Sequence, residues 1–159
     1  MKSEHRKIEY DIAYMKMTYP LRDLSYATRA KVGCIIVSPN GQIVSQGFNG
    51  MPSGFDNDCE YKDENGELHT NPVVLHAESN AISKCAKFSS STDGATLYVS
   101  LSPCLECAKL IIQAGIKRVV FGDLYRDTSG INLLAKANIQ VDYLDVLHST
   151  IKRIANYHE

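Results

Sequence analysis

The chain lacks several features that would place it in a whole class of proteins. Its net charge is −1 and its pI is about 6.5, so no excess of basic residues favours nonspecific binding to long nucleic acids. No apolar run approaches the length of a membrane span. The first residues, MKSEHRKIEY, are charged and contain no apolar core, so they predict no signal peptide. We therefore expect a protein of the cytoplasm.

Cysteine is scarce as well. There are five, an odd number, and two of them form the pair Cys104-x-x-Cys107. Such a count fits a reducing compartment and a bound metal better than a disulfide framework. The 159 residues contain no internal repeat and no linker, and they suffice for one hydrophobic core. We expect residues 1–159 to form a single domain.

Hydrophobic periodicity and turn residues predict the element order α-β-β-α-β-α-β-α-β-α. The expected strands are 31–37, 42–48, 95–101, 117–122 and 139–143. The expected helices are one within 4–28, which Pro20 ends or kinks, and others at 76–88, 129–137 and 146–157. A further helix should run from an N-cap at Ser102 to about residue 114. The first two strands should pair antiparallel and the later ones in parallel, which predicts an α/β fold with a central five-stranded mixed sheet.

Two short motifs stand at the heads of predicted helices. The first is His76-Ala77-Glu78 and the second is Pro103-Cys104-Leu105-Glu106-Cys107. Zinc prefers nitrogen and sulfur ligands, and a catalytic zinc has three protein ligands and an open position for water. His76, Cys104 and Cys107 supply such a set, and a helix N-terminus favours thiolates. These three residues are the predicted metal ligands.

Glu78 is the predicted proton carrier. Because two thiolates cancel the charge of Zn²⁺, water at this metal should be less acidic than at a zinc held by three histidines. A base is therefore needed, and Glu78, two residues from His76, can lie beside the metal without binding it.

Two other interpretations of the cysteine pair remain open. A closed structural zinc site would need a fourth ligand, and Cys85, Cys59 and Cys34 are the candidates. A redox dithiol would leave the His-x-Glu motif unexplained. The combination H-x-E and P-C-x-x-C is the signature of zinc deaminases, which favours catalysis.

Four runs resemble the deoxycytidylate (dCMP) deaminase family of the zinc-dependent cytidine/deoxycytidylate deaminase superfamily, with phage and bacterial members most similar. They are VGCIIV, GFNGMPSGFDNDC, LHAESNAI and LYVSLSPCLECAKLIIQAGIKRVVF, spread over residues 30–145. The resemblance implies a three-layer α/β/α cytidine-deaminase-like fold. It also implies hydrolysis of dCMP to dUMP and ammonia for dTMP synthesis, with Glu78 protonating the ring nitrogen and then the leaving amine.

The resemblance also suggests substrate contacts. The Ala77 N–H and the Ser102 carbonyl would hold the pyrimidine edge, and Asn49 would hold the sugar, although Asn-Gly is also a common turn pair. Tyr125 could pack on the base or sugar, or be an ordinary rim residue.

The 5′-phosphate needs a cation or N–H donors. Arg29 and Lys31 flank the first strand, and Arg126 is preferred because it follows the fourth strand, on the side where ligands of parallel sheets bind. Any of the three could instead be a solvated surface charge.

Residues 49–72 predict a long loop, which in a compact domain is usually functional or ordered by a metal. Some family members carry a second, structural zinc there, and Cys59, His69 and Cys34 could contribute to one. Many members are homohexamers that dCTP activates and dTTP inhibits, so we expect a homo-oligomer, favour a hexamer, and consider nucleotide effectors with Mg²⁺. A phage-encoded enzyme would work in the host cytoplasm.

Competing functions are a deaminase of cytidine, of tRNA adenosine or of a 5-modified dCMP, and a noncatalytic zinc-binding interaction protein. The balanced charge disfavours a tRNA substrate. The presence of Glu78 disfavours a purely structural zinc, which has no use for a proton carrier.

Overall fold

The structure, a computed structural model, describes residues 3–155. In chain order its elements are α1 Glu4–Asp23, β1 Gly33–Val37, β2 Ile43–Phe48, β3 Glu60–Lys62, β4 Leu68–Thr70, α2 Ala77–Lys87, β5 Thr96–Leu101, α3 Leu105–Gln113, β6 Arg118–Asp123, α4 Ser129–Lys136, β7 Gln140–Asp145 and β8 Thr150–Ala155. None of the helices in this range is long and apolar enough to cross a membrane.

The central sheet is mixed and has six strands in the order β2-β1-β5-β6-β7-β8. Strand β1 pairs antiparallel with β2 and β5, whereas β5, β6 and β7 pair in parallel. The predicted hairpin and the predicted parallel pairing are therefore confirmed. The prediction of five strands is wrong, because β8 extends the sheet by one antiparallel strand.

The predicted closing helix at 146–157 is also wrong. Residues 150–155 form β8, and residues 156 and 157 lie outside the described part of the chain. The reversal that precedes β8 explains the difference. The Asp145 carboxylate accepts a hydrogen bond from the His148 amide at 3.2 Å, and Ser149 has a φ of 53°. This tight turn directs the chain back along β7.

Helices cover both faces of the sheet. Along β1, Cys34 and Ile36 point into a core shared with α2, α3 and α4, while Ile35 and Val37 point into a second core under α1. The expected three-layer α/β/α arrangement is therefore confirmed. Helix α1 continues past Pro20 to Asp23, so the proline does not end it at once.

A buried ionic network ties α1 to the sheet. The Arg118 guanidinium donates to Asp11 at 2.8 and 2.9 Å and to Asp142 at 2.8 Å. Asp142 also accepts from Arg153 at 2.6 Å, and Asp11 accepts from the Tyr98 hydroxyl at 2.6 Å. Asp11 and Asp142 are 5% and 1% exposed. Because each buried charge has a partner, the network holds five elements together without leaving an uncompensated carboxylate.

The segment 49–72 is not the irregular loop that its composition predicts. It contains the antiparallel hairpin β3–β4, in which Glu60 lies directly opposite Thr70. Gly50 and Leu75 exchange backbone hydrogen bonds of 3.0 and 2.8 Å, so the base of the segment is closed. The hairpin is therefore held as a unit beside the end of β2.

Candidate active site

Two helix N-termini bring the predicted metal ligands together. His76 is the N-cap of α2, and Cys104 is the N-cap of α3. The His76 Nδ1 atom lies 3.4 Å from the Sγ atoms of both Cys104 and Cys107, and all three ligand atoms lie within 4.8 Å of one another. The sequence-predicted set is thus assembled in space.

The start of α3 differs from the prediction. Ser102 is not the N-cap and Pro103 is not the first helical residue, because α3 begins at Leu105. The Ser102 hydroxyl oxygen instead accepts the Tyr125 amide at 2.7 Å. Cys104 has the extended backbone of an N-cap but makes no side-chain capping bond. Its sulfur lies at the ligand cluster instead.

Two glycines that sequence reasoning missed allow the ligand segments to approach their neighbours. A Cβ on Gly47 of β2 would lie 2.5 Å from the Ala77 carbonyl oxygen, so only glycine lets β2 lie this close to the start of α2. A Cβ on Gly130 of α4 would lie 2.2 Å from the Pro103 carbonyl oxygen, directly before Cys104. An isolated glycine in a strand or helix signals such close packing, but it does not name the partner.

The electrostatics of the cluster favour a cation. Hydrogen bonds with Cys107 and His76 lower the pKa of Cys104 to about 3. The hydrogen bond between His76 and Cys104 in turn raises the pKa of His76. A hydrogen bond to Cys104, followed by burial, raises the pKa of the Cys107 thiol. A divalent cation at the cluster would stabilise both thiolates.

Glu78 lies at the inner wall of the site. Its side chain is 4% exposed, and burial is the main reason that its pKa rises to about 7. It belongs to the first turn of α2, two residues after His76. A carboxyl group is thus held next to the ligand cluster but is not a member of it.

One pocket of about 480 Å³ contains these groups and most of the predicted substrate residues. His76, Glu78 and Cys104 line it. The expected substrate residues that also line it are Asn49, Ala77, Ser102, Tyr125, Arg126 and Arg29. Lys31 lies outside the lining, so the structure favours the two arginines among the phosphate candidates.

Asn49 holds the pocket wall as well as facing the pocket. Its Oδ1 accepts the Val32 amide at 2.8 Å, and its Nδ2 donates to the Ala30 carbonyl at 2.8 Å. The turn interpretation of Asn49 is therefore incomplete, since its side chain binds a distant backbone segment. One hydrogen of the amide nitrogen remains for a ligand.

The residues suggested for a second zinc do not meet. Cys34 is fully enclosed in the core and Cys59 lines the pocket. The His69 ring lies 2.8 Å from Asp63 and stacks on Tyr61. Among residues 3–155 no group of metal-ligating side chains combines these three.

The cysteines proposed for a closed site are not at the cluster either. Cys34, Cys59 and Cys85 are buried, and none belongs to the His76 group within the range that the structure describes. This arrangement leaves three protein ligands, of which His76 and Cys104 line the pocket, and three protein ligands are typical of catalytic rather than structural zinc sites.

Comparison with known proteins identifies the family. The profile of the cytidine and deoxycytidylate deaminase zinc-binding region matches residues 8–123. The chain belongs to this family. Nitrogen and two sulfurs are the donors that zinc prefers, so the cluster fits the metal named in the family description.

Similar proteins cover most of the chain. Human deoxycytidylate deaminase is 41% identical over 125 residues, which is 76% of this chain and 69% of the human one. The deoxycytidylate deaminase of Enterobacteria phage T4 is 34% identical over 148 residues, covering 70% of this chain and 76% of its own. The structure of dCMP deaminase from cyanophage S-TIM5 in complex with dCMP and dUMP matches with a TM-score of 0.78 and 45% identity. It covers 91% of this chain and 99% of that one.

Proposed function

We propose that this deaminase hydrolyses dCMP to dUMP and ammonia. The observation that carries the proposal is one pocket lined by His76 and Cys104 of the ligand cluster, by the buried Glu78 carboxyl and by two arginines. Neither arginine forms an ion pair with a described carboxylate. A ligand with a reactive amidine and an anionic group would match both halves of this pocket. The names of the human and phage relatives support the same substrate.

Zinc held by His76, Cys104 and Cys107 would supply a Lewis acid that acidifies water. Glu78 would accept a proton as water adds to C4 and pass it to the ring N3. It would then take the remaining proton from the new C4 hydroxyl and deliver it to the amine as the C4–N bond breaks, so that the carbonyl of dUMP forms and ammonia leaves. Its burial keeps competing water away from the carboxyl during these transfers.

The remaining wall residues would orient the nucleotide. Ala77 is the first residue of α2, where a backbone N–H has no partner within the helix and can donate to the pyrimidine. The Ser102 carbonyl would accept from the ring edge, and Asn49 would bind the sugar. Tyr125 would pack on the base or sugar.

Arg29 and Arg126 would bind the 5′-phosphate. Both lie on the wall of the pocket, and a guanidinium can donate two parallel hydrogen bonds to a phosphate. Because neither guanidinium forms an ion pair with a carboxylate of residues 3–155, a role in binding phosphate is favoured over a role in a structural ion pair.

An ammonia-release assay over dCMP, CMP, dCTP, deoxycytidine and 5-methyl-dCMP tests the proposal. We expect a higher kcat/KM on dCMP than on dCTP or deoxycytidine, since only a monophosphate can place its single phosphate against both arginines of the pocket. Inactivity on every monophosphate would refute the function, and a preference for the 5-methyl substrate would reassign it. The same assay with and without dCTP, dTTP and Mg²⁺ tests regulation.

Several finer expectations stay predictions. They are a single domain over 1–159, a homo-oligomer with a hexamer favoured, effector binding with Mg²⁺, a second zinc and a cytoplasmic location. Zinc content per chain distinguishes one metal from two, and light scattering measures the oligomer.

A further inference from the structure

The hairpin β3–β4 contacts the pocket through one pair of facing residues. Glu60 and Thr70 lie opposite each other across the two strands, and both line the pocket. Both also contact Arg29, although the two strands are more than thirty residues away from it in the chain. A hairpin of only three residues per strand thus directs two side chains at a single pocket residue.

The two contacts hold opposite ends of Arg29. One oxygen of Glu60, Oε1, accepts the amide N–H groups of Thr28 at 2.9 Å and Arg29 at 3.1 Å. The Thr70 hydroxyl oxygen accepts Arg29 Nη1 at 3.2 Å. The backbone and the guanidinium are therefore both held by the same hairpin. The carboxylate of Glu60 binds the backbone, so the charge of the guanidinium is left for another anion.

The segment around Arg29 has no strand or helix of its own to hold it. Asn49 binds Ala30 and Val32, and the Ser100 hydroxyl oxygen accepts the Gly33 amide at 3.0 Å. These contacts hold residues 30–33 from the strand side. The hairpin supplies the matching contacts at residues 28 and 29, where the pocket wall begins.

We propose that Glu60 and Thr70 are positioning residues that aim Arg29 at the 5′-phosphate and so set the preference for a nucleotide over a nucleoside. The proposal rests on the proposed function. A guanidinium that is already held in place loses less rotamer freedom when it binds a phosphate. A substrate without a phosphate gains nothing from this arrangement.

The test compares dCMP with deoxycytidine in matched variants. In Glu60→Ala we expect the KM for dCMP to rise about tenfold with kcat almost unchanged, because two hydrogen bonds to a charged acceptor are lost. The kinetics on deoxycytidine should not change. Glu60→Gln should restore the KM, since its amide oxygen can accept both N–H groups. Glu64→Ala, in the turn of the same hairpin, is the charge-matched control and should resemble the wild type.

Thr70→Val gives a second, independent measurement. It removes the hydroxyl without changing charge or volume much, and we expect a KM increase of about threefold for dCMP alone. If zinc content and thermal unfolding show that Glu60→Ala does not fold, the KM of Thr70→Val alone tests the positioning role. Inhibition by dUMP and deoxyuridine gives the same comparison if deoxycytidine turns over too slowly.

The outcomes separate the two hypotheses. Absence of dCMP deamination in the wild type refutes the proposed function. If the wild type is active, equal losses of activity on dCMP and deoxycytidine overturn the positioning role. An unchanged KM for dCMP in both Thr70→Val and a correctly folded Glu60→Ala also overturns it.

Discussion

Replacing Gly130 by alanine should loosen the zinc ligands from a position that touches neither metal nor substrate. Gly130 is the second residue of α4, and its backbone packs against the segment that carries Cys104. The added Cβ would lie 2.2 Å from the Pro103 carbonyl oxygen and 2.7 Å from the carbonyl carbon of Cys104, whereas ordinary contacts begin at 3.4 Å. The backbone at Cys104 must therefore move by about 1 Å, or α4 must move away from it.

Two opposing effects decide whether Gly130→Ala stabilises or destabilises the protein. Alanine is intrinsically better in a helix than glycine by about 1 kcal/mol, so an open site would be stabilised. Overpacking a tight contact costs about 1–3 kcal/mol, and zinc tolerates ligand displacements of only about 0.2 Å. Because the added Cβ would meet backbone atoms rather than a flexible side chain, the cost of overpacking should exceed the gain in helix propensity. We expect a loss of about 10–100-fold in zinc affinity, as for changes to groups that support metal ligands.

Chelator titration of the metal and thermal unfolding with and without added zinc measure this effect. Gly50→Ala is the matched control, because a Cβ there would meet nothing within 4 Å. If Gly130→Ala held zinc as tightly as the wild type and unfolded at the same or a higher temperature, the close approach would not constrain the ligand loop.

Two further predictions concern carboxylates. Burial alone would raise the pKa of Asp142, but hydrogen bonds from Gln140, Arg153 and Arg118 outweigh it and lower the pKa. Its stabilisation is therefore complete above the unfolded pKa of about 3.9 and is lost as the pH falls through the lowered folded pKa. Urea unfolding should show Asp142→Asn less stable than the wild type by about 3 kcal/mol near neutral pH, with a gap that shrinks below about pH 4; a constant gap would contradict this. Glu78→Gln should retain zinc but lower kcat on dCMP by about 10²–10⁴-fold, and unchanged activity would exclude Glu78 as the proton carrier.

Sequence reasoning recovered the metal cluster because its information is local. A Cys-x-x-Cys at a helix start and a His just before another helix need only correct helix boundaries to meet. The position of the α3 N-cap has little influence on the cluster. Helix α3 starts two residues later than predicted, yet the sulfurs of Cys104 and Cys107 still face His76. The carboxyl of Glu78, predicted from its spacing to His76, lies buried at the wall of the same pocket.

Nonlocal pairing explains what was missed. Ile151 and Ile154 have a spacing that also suits a helix, and the tight turn after Asp145 is what places them in β8. The three-residue strands of the β3–β4 hairpin are too short to show a period. Arg126 was preferred over Arg29 from strand order alone, whereas both line the pocket.

The network under α1 has a consequence for synthesis. Asp11 and Arg118 are 107 residues apart in the chain, so the helix leaves the ribosome long before its partner is made. At about 5–20 residues per second the delay is roughly 5–20 s. During that interval the carboxylate of Asp11 lacks the guanidinium of Arg118, its partner in the fold, and burying it would be costly. We therefore expect α1 to dock only after β6, which carries Arg118, has been made, and nascent chains that stop before β6 should leave this helix open to proteases.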